Sequence, residues 1–278
     1  MDDSKLYLSF LVKDADDVKA LLTADLRRIA IWCCANSLLI NPDKTKFLIL
    51  GSRQMVSRIP DDFHVSLLGK DISPVPFAKD LGIILDSNLT YDEHVTQVVS
   101  KCMGSLCQIN RVKRVLDQKT LIIVINALVF SRMYYCSCVW ANTSKKNIAK
   151  LQNVQNFATR IVTDTKKYDH ITPVLVQLKW LPVCDMLRLR DAVLTFKCIK
   201  GLAPPYLCDR FITRMRVHDR NTRNNNELEI PLCTSAAGQR SFVYRAVALW
   251  NQLPDHIKNK EHVVNFNTAL IKHFLLNS

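Results

Sequence analysis

The sequence has 278 residues, 48% hydrophobic and 23% charged, with only 6 glycines; that balance suits one large or two modest cores and argues against disorder. The 38 Lys and Arg outnumber the 25 Asp and Glu unevenly: residues 1–110 hold 12 basic and 14 acidic side chains, residues 111–278 hold 26 and 11. The basic excess therefore lies wholly in the second part, as in a module facing a polyanion, with a basic solvated surface as the plain alternative.

Ser4 to Val12 alternates, with Leu6, Leu8 and Phe10 on one side and Lys5, Tyr7 and Ser9 on the other, which predicts a half-buried strand. Asp14, Asp16 and Asp17 put negative charge where a helix dipole favours it. Val18, Leu21, Leu22, Leu26, Ile29 and Ala30 then recur at three- and four-residue steps, predicting a helix to about Ser37. Asn41-Pro42-Asp43 is turn chemistry. Short β runs are expected at Phe47–Leu50, Phe63–Leu68 and Leu81–Asp86, giving an α+β order of strand, helix and strands.

Beyond Asp86 the pattern becomes helical. His94, Val95, Val98, Val99, Cys102, Leu106 and Ile109 form one stripe. Leu121 to Trp140 is hydrophobic nearly all round and reads as a buried helix. Its apolar run, Leu121–Phe130, falls short of the roughly 20 residues of a membrane span. Ile148, Leu151, Val154, Ala158, Ile161 and Val162 make the next stripe, with Lys145, Lys146, Lys150 and Arg160 off it. A helix over Leu187–Ile199 is stopped by Gly201-Leu202-Ala203-Pro204-Pro205. Arg214 to Asn226 mixes Arg and Asn without a hydrophobic period and reads as a linker. Helices over Arg240–Leu253 and Val263–Leu276 close the chain.

Ten cysteines are spread from Cys33 to Cys233 without a Cys-x-x-Cys pair, so they are expected to be free thiols rather than a disulfide framework or zinc site. The acidic start has neither the basic nor the apolar region of a signal peptide, which points to the nucleus or cytoplasm. Nucleophile elbows, phosphate loops, dinucleotide fingerprints and His-Glu-x-x-His motifs are missing. His94 reads as a helix-start residue, and Trp32, Trp140, Trp180 and Trp250 as packing residues.

Read in order, several segments carry a resemblance. Met1-Asp2-Asp3-Ser4-Lys5-Leu6-Tyr7 resembles the end of an aromatic-x-Asp-Asp box. Asn36 to Lys46 resembles an Asn-x4-Asn-x-x-Lys-Thr segment, and Leu81-Gly82-Ile83-Ile84-Leu85-Asp86 a primer-grip strand. Leu151-Gln152-Asn153-Val154-Gln155-Asn156-Phe157-Ala158, Trp180-Leu181-Pro182-Val183, Phe196-Lys197-x3-Gly201-x-Ala203-Pro204 and Leu249-Trp250-Asn251-Gln252-Leu253-Pro254 follow. Together they resemble the C-terminal part, starting at the Asp-Asp box, of the reverse transcriptase of a non-LTR, LINE-type retrotransposon.

That resemblance implies a palm remnant over 1–90, thumb-like helices over 91–143 and a helical basic region over 144–278 with a linker near 214–226. It implies Asp2 and Asp3 as Mg2+ ligands and Lys44 as the cation beside the departing pyrophosphate. Leu81, Gly82 and Ile83 would be primer-grip-like. Arg111, Lys113, Arg114, Arg210, Arg214, Arg216, Arg220 and Arg223 would contact an RNA and DNA template-primer duplex. Lys44 also reads as a solvated turn lysine. The family places its first catalytic Asp and its fingers ahead of this box, and two-metal transfer needs carboxylates from separate segments to hold ions about 3.5 to 4 Å apart. The expectation is therefore a fragment inactive by itself, or else a non-specific nucleic-acid-binding or protein-interaction remnant.

Overall fold

The structure, a computed structural model, describes residues 4–217 and 227–276. The chain divides into two compact units, Met1–His94 and Val95–Ser278.

In the first unit, helix α1 (Ala15–Ala35) buries Ala15, Val18, Ala30 and Cys33. Strands β1 (Val65–Leu67) and β2 (Lys70–Ile72) pair antiparallel with Val65 opposite Ile72. Val65, Leu67 and Ile72 pack against Ala30 with Leu22 and Leu26 of α1. A neighbouring cluster is built on Phe63, whose ring lies 6.0 Å from Phe10 and 5.7 Å from Phe47. Strands β3 (Phe77–Asp80) and β4 (Ile83–Asp86) form a second hairpin, Phe77 opposite Asp86. Its two turn residues, Leu81 (φ 44°) and Gly82 (φ 87°), are both left-handed, which matches the twist of the flanking strands. Gly82 adopts this freely, whereas Leu81 does so against its own Cβ.

Four expectations are corrected here. Ser4–Leu11 forms no strand, because alternation does not by itself supply hydrogen-bond partners and none pairs with it among the described residues. Phe47–Leu50 is reduced to one bridge from Phe47 to Pro74, whose missing N–H stops a ladder from extending. The third β run starts at Ile83, with a strand at 77–80 ahead of the turn. Trp32 lies on the outer face of α1, 57% exposed, rather than in a core.

The loop after β4 is organised by one carboxylate. Asp86 Oδ1 accepts from the N–H groups of Asn88 (3.1 Å) and Thr90 (3.0 Å), and Oδ2 from that of Tyr91 (2.6 Å). These bonds hold Leu89 (φ 52°) and Tyr91 (φ 61°) in the left-handed region and deliver the chain into helix α2 (Asp92–Val112). His94 is buried at this start, its Nδ1 accepting from Ile84 N at 3.4 Å. Asp86→Ala is expected to cost about 2 kcal/mol, since three backbone donors lose their acceptor; urea midpoints for the two proteins measure it.

In the second unit, Val95, Val98, Cys102, Leu106 and Ile109 of α2 are buried as their stripe predicts. The segment from Leu121 to Trp140 is a correction. Helix α3 (Gln118–Ile125) widens into a π turn at Asn126–Phe130, and after Met133 the chain breaks at Cys136 (φ 45°) before a helical turn, Ser137–Trp140. Leu121, Ile125, Val129, Met133 and Trp140 face inward, while Ile123, Leu128, Tyr135 and Val139 stay about half exposed. Composition alone does not place a residue: apolar side chains make up much of any protein surface.

Helix α4 (Lys145–Thr163) is capped by Ser144, whose Oγ accepts from Asn147 N. Helix α5 (Val183–Ile199) is the hub, packed by α4, α6 (Phe242–Gln252) and α7 (Val263–Leu276). Phe196 of α5 stacks on Phe266 of α7 at 4.4 Å, and Trp250 of α6 on Phe266 at 5.8 Å. α5 ends in a Schellman motif: Leu202 N donates to Lys197 O, Gly201 N to Cys198 O, and Gly201 has φ 68°. Where a linker was expected, Arg214–Val217 is a helical turn; 218–226 lie outside the described residues. No helix of the described residues is long and apolar enough to cross a membrane.

Candidate functional site

Asp2 and Asp3 lie outside the described residues. Among the described residues no group of three or more His, Cys, Asp or Glu could hold a metal ion.

Lys44 belongs to a tight turn that its neighbours build. Asn41 Oδ1 accepts from Asp43 N (2.9 Å), and Asn41 O accepts from Lys44 N (3.2 Å), Thr45 N (3.2 Å) and Thr45 Oγ1 (3.0 Å). Asn41 and Thr45 are thus the turn's fasteners, which accounts physically for Asn and Thr flanking the lysine. Asp43 pairs with Lys70, whose hydrogen bond and charge hold that carboxyl below its usual range. Lys44 itself is exposed, with no ion pair among the described residues. Of the three residues expected to be primer-grip-like, Leu81 and Gly82 form the hairpin turn and buried Ile83 opens β4.

The cations of the second unit divide into occupied and open ones. Lys113 pairs with Asp164, and both line a cleft of about 480 Å³ together with Arg114, Gln118, Leu121 and Ile161. Arg214 pairs with Glu227 at 2.6 Å and lies 3.7 Å from Glu229, so its charge is matched inside the fold. Arg160, off its stripe as expected, donates to the carbonyls of Asn156, Lys166 and Asp169 and so clamps a loop. Arg111, Arg114, Arg210 and Arg216 are exposed and without an ion pair among the described residues. Arg220 and Arg223 lie outside them. Of the basic residues expected at a duplex, the open ones thus come as Arg111 with Arg114 at the end of α2, and Arg210 with Arg216 some hundred residues later.

One constellation escapes reading by motif. Gln155 is buried in α4; its Nε2 donates to Leu181 O at 2.8 Å, and its Oε1 accepts from Gln152 Nε2 at 2.8 Å. Gln152 Oε1 in turn accepts from Val183 N at 2.9 Å. Two of the resembling segments, 151–158 and 180–183, are therefore the two sides of one latch that sets the entry to α5. The available signal was Gln155 standing inside the apolar stripe of Leu151, Val154 and Ala158.

No family model matches the sequence. No solved structure matches it either. Over 182 residues the chain is 26% identical to a Drosophila melanogaster protein named probable RNA-directed DNA polymerase from transposon BS, a match covering 58% of this chain and 19% of that protein. The match spans about one fifth of the length of that curated relative, and it is to a transposon polymerase that this chain is similar.

Proposed function

We propose that the chain is part of a non-LTR retrotransposon reverse transcriptase, the part from the Asp-Asp box onward, and that by itself it binds nucleic-acid phosphates without polymerising. The similarity to a transposon polymerase carries this reading. The open arginines and the basic excess of residues 111–278 support its binding half. In this reading Asp2 and Asp3 are Mg2+ ligands of the parent enzyme, and Lys44, held out by the Asn41–Thr45 turn, serves its leaving group. The 81–83 hairpin turn is primer-grip-like, residues 91–143 act as the thumb, and the partner is an RNA and DNA template-primer duplex.

Binding through phosphates follows counterion release, with log K falling by roughly 0.9 per log unit of salt for each duplex phosphate neutralised. Filter binding of an unrelated duplex across a salt series is expected to give a steep line. The double change Arg111→Gln, Arg114→Gln should flatten the slope by roughly two such steps. A salt-independent affinity would overturn the binding half. Primer extension on an RNA template with Mg2+ or Mn2+ tests the other half: no incorporation is expected, and incorporation abolished by Asp2→Ala would contradict it.

A further inference from the structure

The end of α4 carries two features on neighbouring residues. Ile161 and Val162 form part of the lining of the cleft that Lys113 and Arg114 share. Arg160, the residue before them, sends Nε to Lys166 O at 3.2 Å and Nη2 to Asp169 O at 3.3 Å, and Lys166 N donates to Asp169 Oδ2 at 3.0 Å. The turn at 166–169 is thereby pinned to the helix that lines the cleft. Within it Tyr168 is 91% exposed, with Lys167 Nζ over its ring at 5.5 Å. Holding an aromatic ring in water is unfavourable, and here three hydrogen bonds fix the turn that displays it. The nearby carboxylates are engaged: Asp164 pairs with Lys113, Asp169 accepts from Lys166 N, and Asp117 caps α3 through Thr120 N at 3.0 Å. Arg114, Lys166 and Lys167 are exposed and without an ion pair among the described residues.

We propose that the cleft and the 166–169 turn together form a site for unpaired nucleic acid, with phosphates at Lys113 and Arg114 and a base stacked on Tyr168. This site rests on the reading that the chain binds nucleic-acid phosphates, and it names the single strand as the partner. Cations beside an exposed ring suit a single strand, because each of its bases can offer a π face, whereas in a duplex those faces are stacked on one another. A duplex would meet the cations alone. The cleft, at about 480 Å³, has the size of a small-ligand pocket and so admits a nucleotide. Lys113 is available although paired: the Asp164 side chain is 81% exposed, and an ion pair in water contributes little, so a phosphate can replace Asp164 while that carboxylate stays hydrated. From Asp164, which lines the cleft, to Tyr168 is a chain span of at most about 14 Å, so one short oligonucleotide reaches both places.

The full chain is titrated with labelled oligo(dT), with an abasic oligomer of the same length and with a duplex, across a salt series, and binding is read by fluorescence anisotropy. Oligo(dT) is expected to bind roughly fivefold or more tighter than the abasic oligomer, the effect of stacking one base. Tyr168→Ala should erase that margin while leaving the salt slope and the duplex affinity unchanged, and Tyr168→Phe should keep it. Arg114→Gln should lower the single-strand slope by roughly 0.7 and keep the margin. Irradiation of an oligomer carrying iodouracil should crosslink Tyr168, found by mass spectrometry in the tryptic peptide Tyr168–Lys179. Two results would overturn this site and leave phosphate binding standing: salt-dependent duplex binding with equal affinity for oligo(dT) and the abasic oligomer, or a Tyr168→Ala protein with the wild-type margin. Binding to none of the three ligands would overturn both.

Discussion

Gln155→Leu is expected to lower the unfolding free energy by about 3 kcal/mol although leucine nearly fills the same volume, because the loss is of hydrogen bonds rather than packing. Leu181 O, buried at the entry to α5, would lose its donor, and Gln152 would lose one of the two acceptors its amide now shares between Gln155 and Asn156. An unmatched buried carbonyl costs about 1–3 kcal/mol, and the disturbed Gln152 contact to Val183 N adds to it. Gln155→Ala should be worse by the cavity it opens. Exposed Asn153, on the opposite side of α4, is the control: Asn153→Ala should stay within about 0.5 kcal/mol of the parent. Urea midpoints measure all three, and a Gln155→Leu protein as stable as the Asn153 control would refute the latch.

The latch shows where sequence reading succeeds and where it stops. Stripes at three- and four-residue steps placed α1, α2, α4 and α7 nearly to their ends, because the same periodicity that makes a face apolar decides which face is buried. Gly201 and the prolines behind it marked the end of α5 for an equally local reason. The segment 4–12 failed because a strand is a property of two segments, and alternation within one says nothing about a partner. Leu121–Trp140 failed because an all-apolar composition carries no phase; the break at Cys136 and the outward turn of Ile123, Leu128 and Tyr135 depend on contacts from α4 and α5. At the candidate site, Lys44 was legible as a turn lysine from Asn41-Pro42-Asp43. Which arginines are open was not, since Arg214 is matched by Glu227, thirteen residues away, and Lys113 by Asp164, fifty-one away. Charge counts see the total and are blind to pairing.

Arg245→Met is expected to be the most damaging single change in the second unit, at about 3–5 kcal/mol near pH 8. Arg245 of α6 sends Nε (3.2 Å) and Nη2 (3.0 Å) to Asp191 Oδ2 on α5, Nη2 also to Cys138 O (3.0 Å), and Nη1 to Arg240 O (2.8 Å). One guanidinium therefore joins α5, α6 and the turn at 137–140, with the Asp191 side chain 7% exposed. Removing it strands a buried carboxylate and takes a donor from the Cys138 carbonyl. Even with the arginine present, burial holds the Asp191 carboxyl above its usual range, Arg245 pulling the other way. The sign follows: the folded chain binds this proton more readily than the unfolded one, so the group's contribution falls as pH rises from the ordinary carboxylate range to the folded value, and is flat beyond it. Without Arg245 that folded value moves higher still, and the carboxyl escapes its penalty by protonating. The damage from Arg245→Met should therefore be smaller at pH 5 than at pH 8. The pair Asp191→Leu, Arg245→Met should regain most of the loss, because a buried ion pair replaced by apolar side chains is often neutral in stability. Equal losses at both pH values, or a double variant no more stable than the single one, would mean that the contact is packing and not charge.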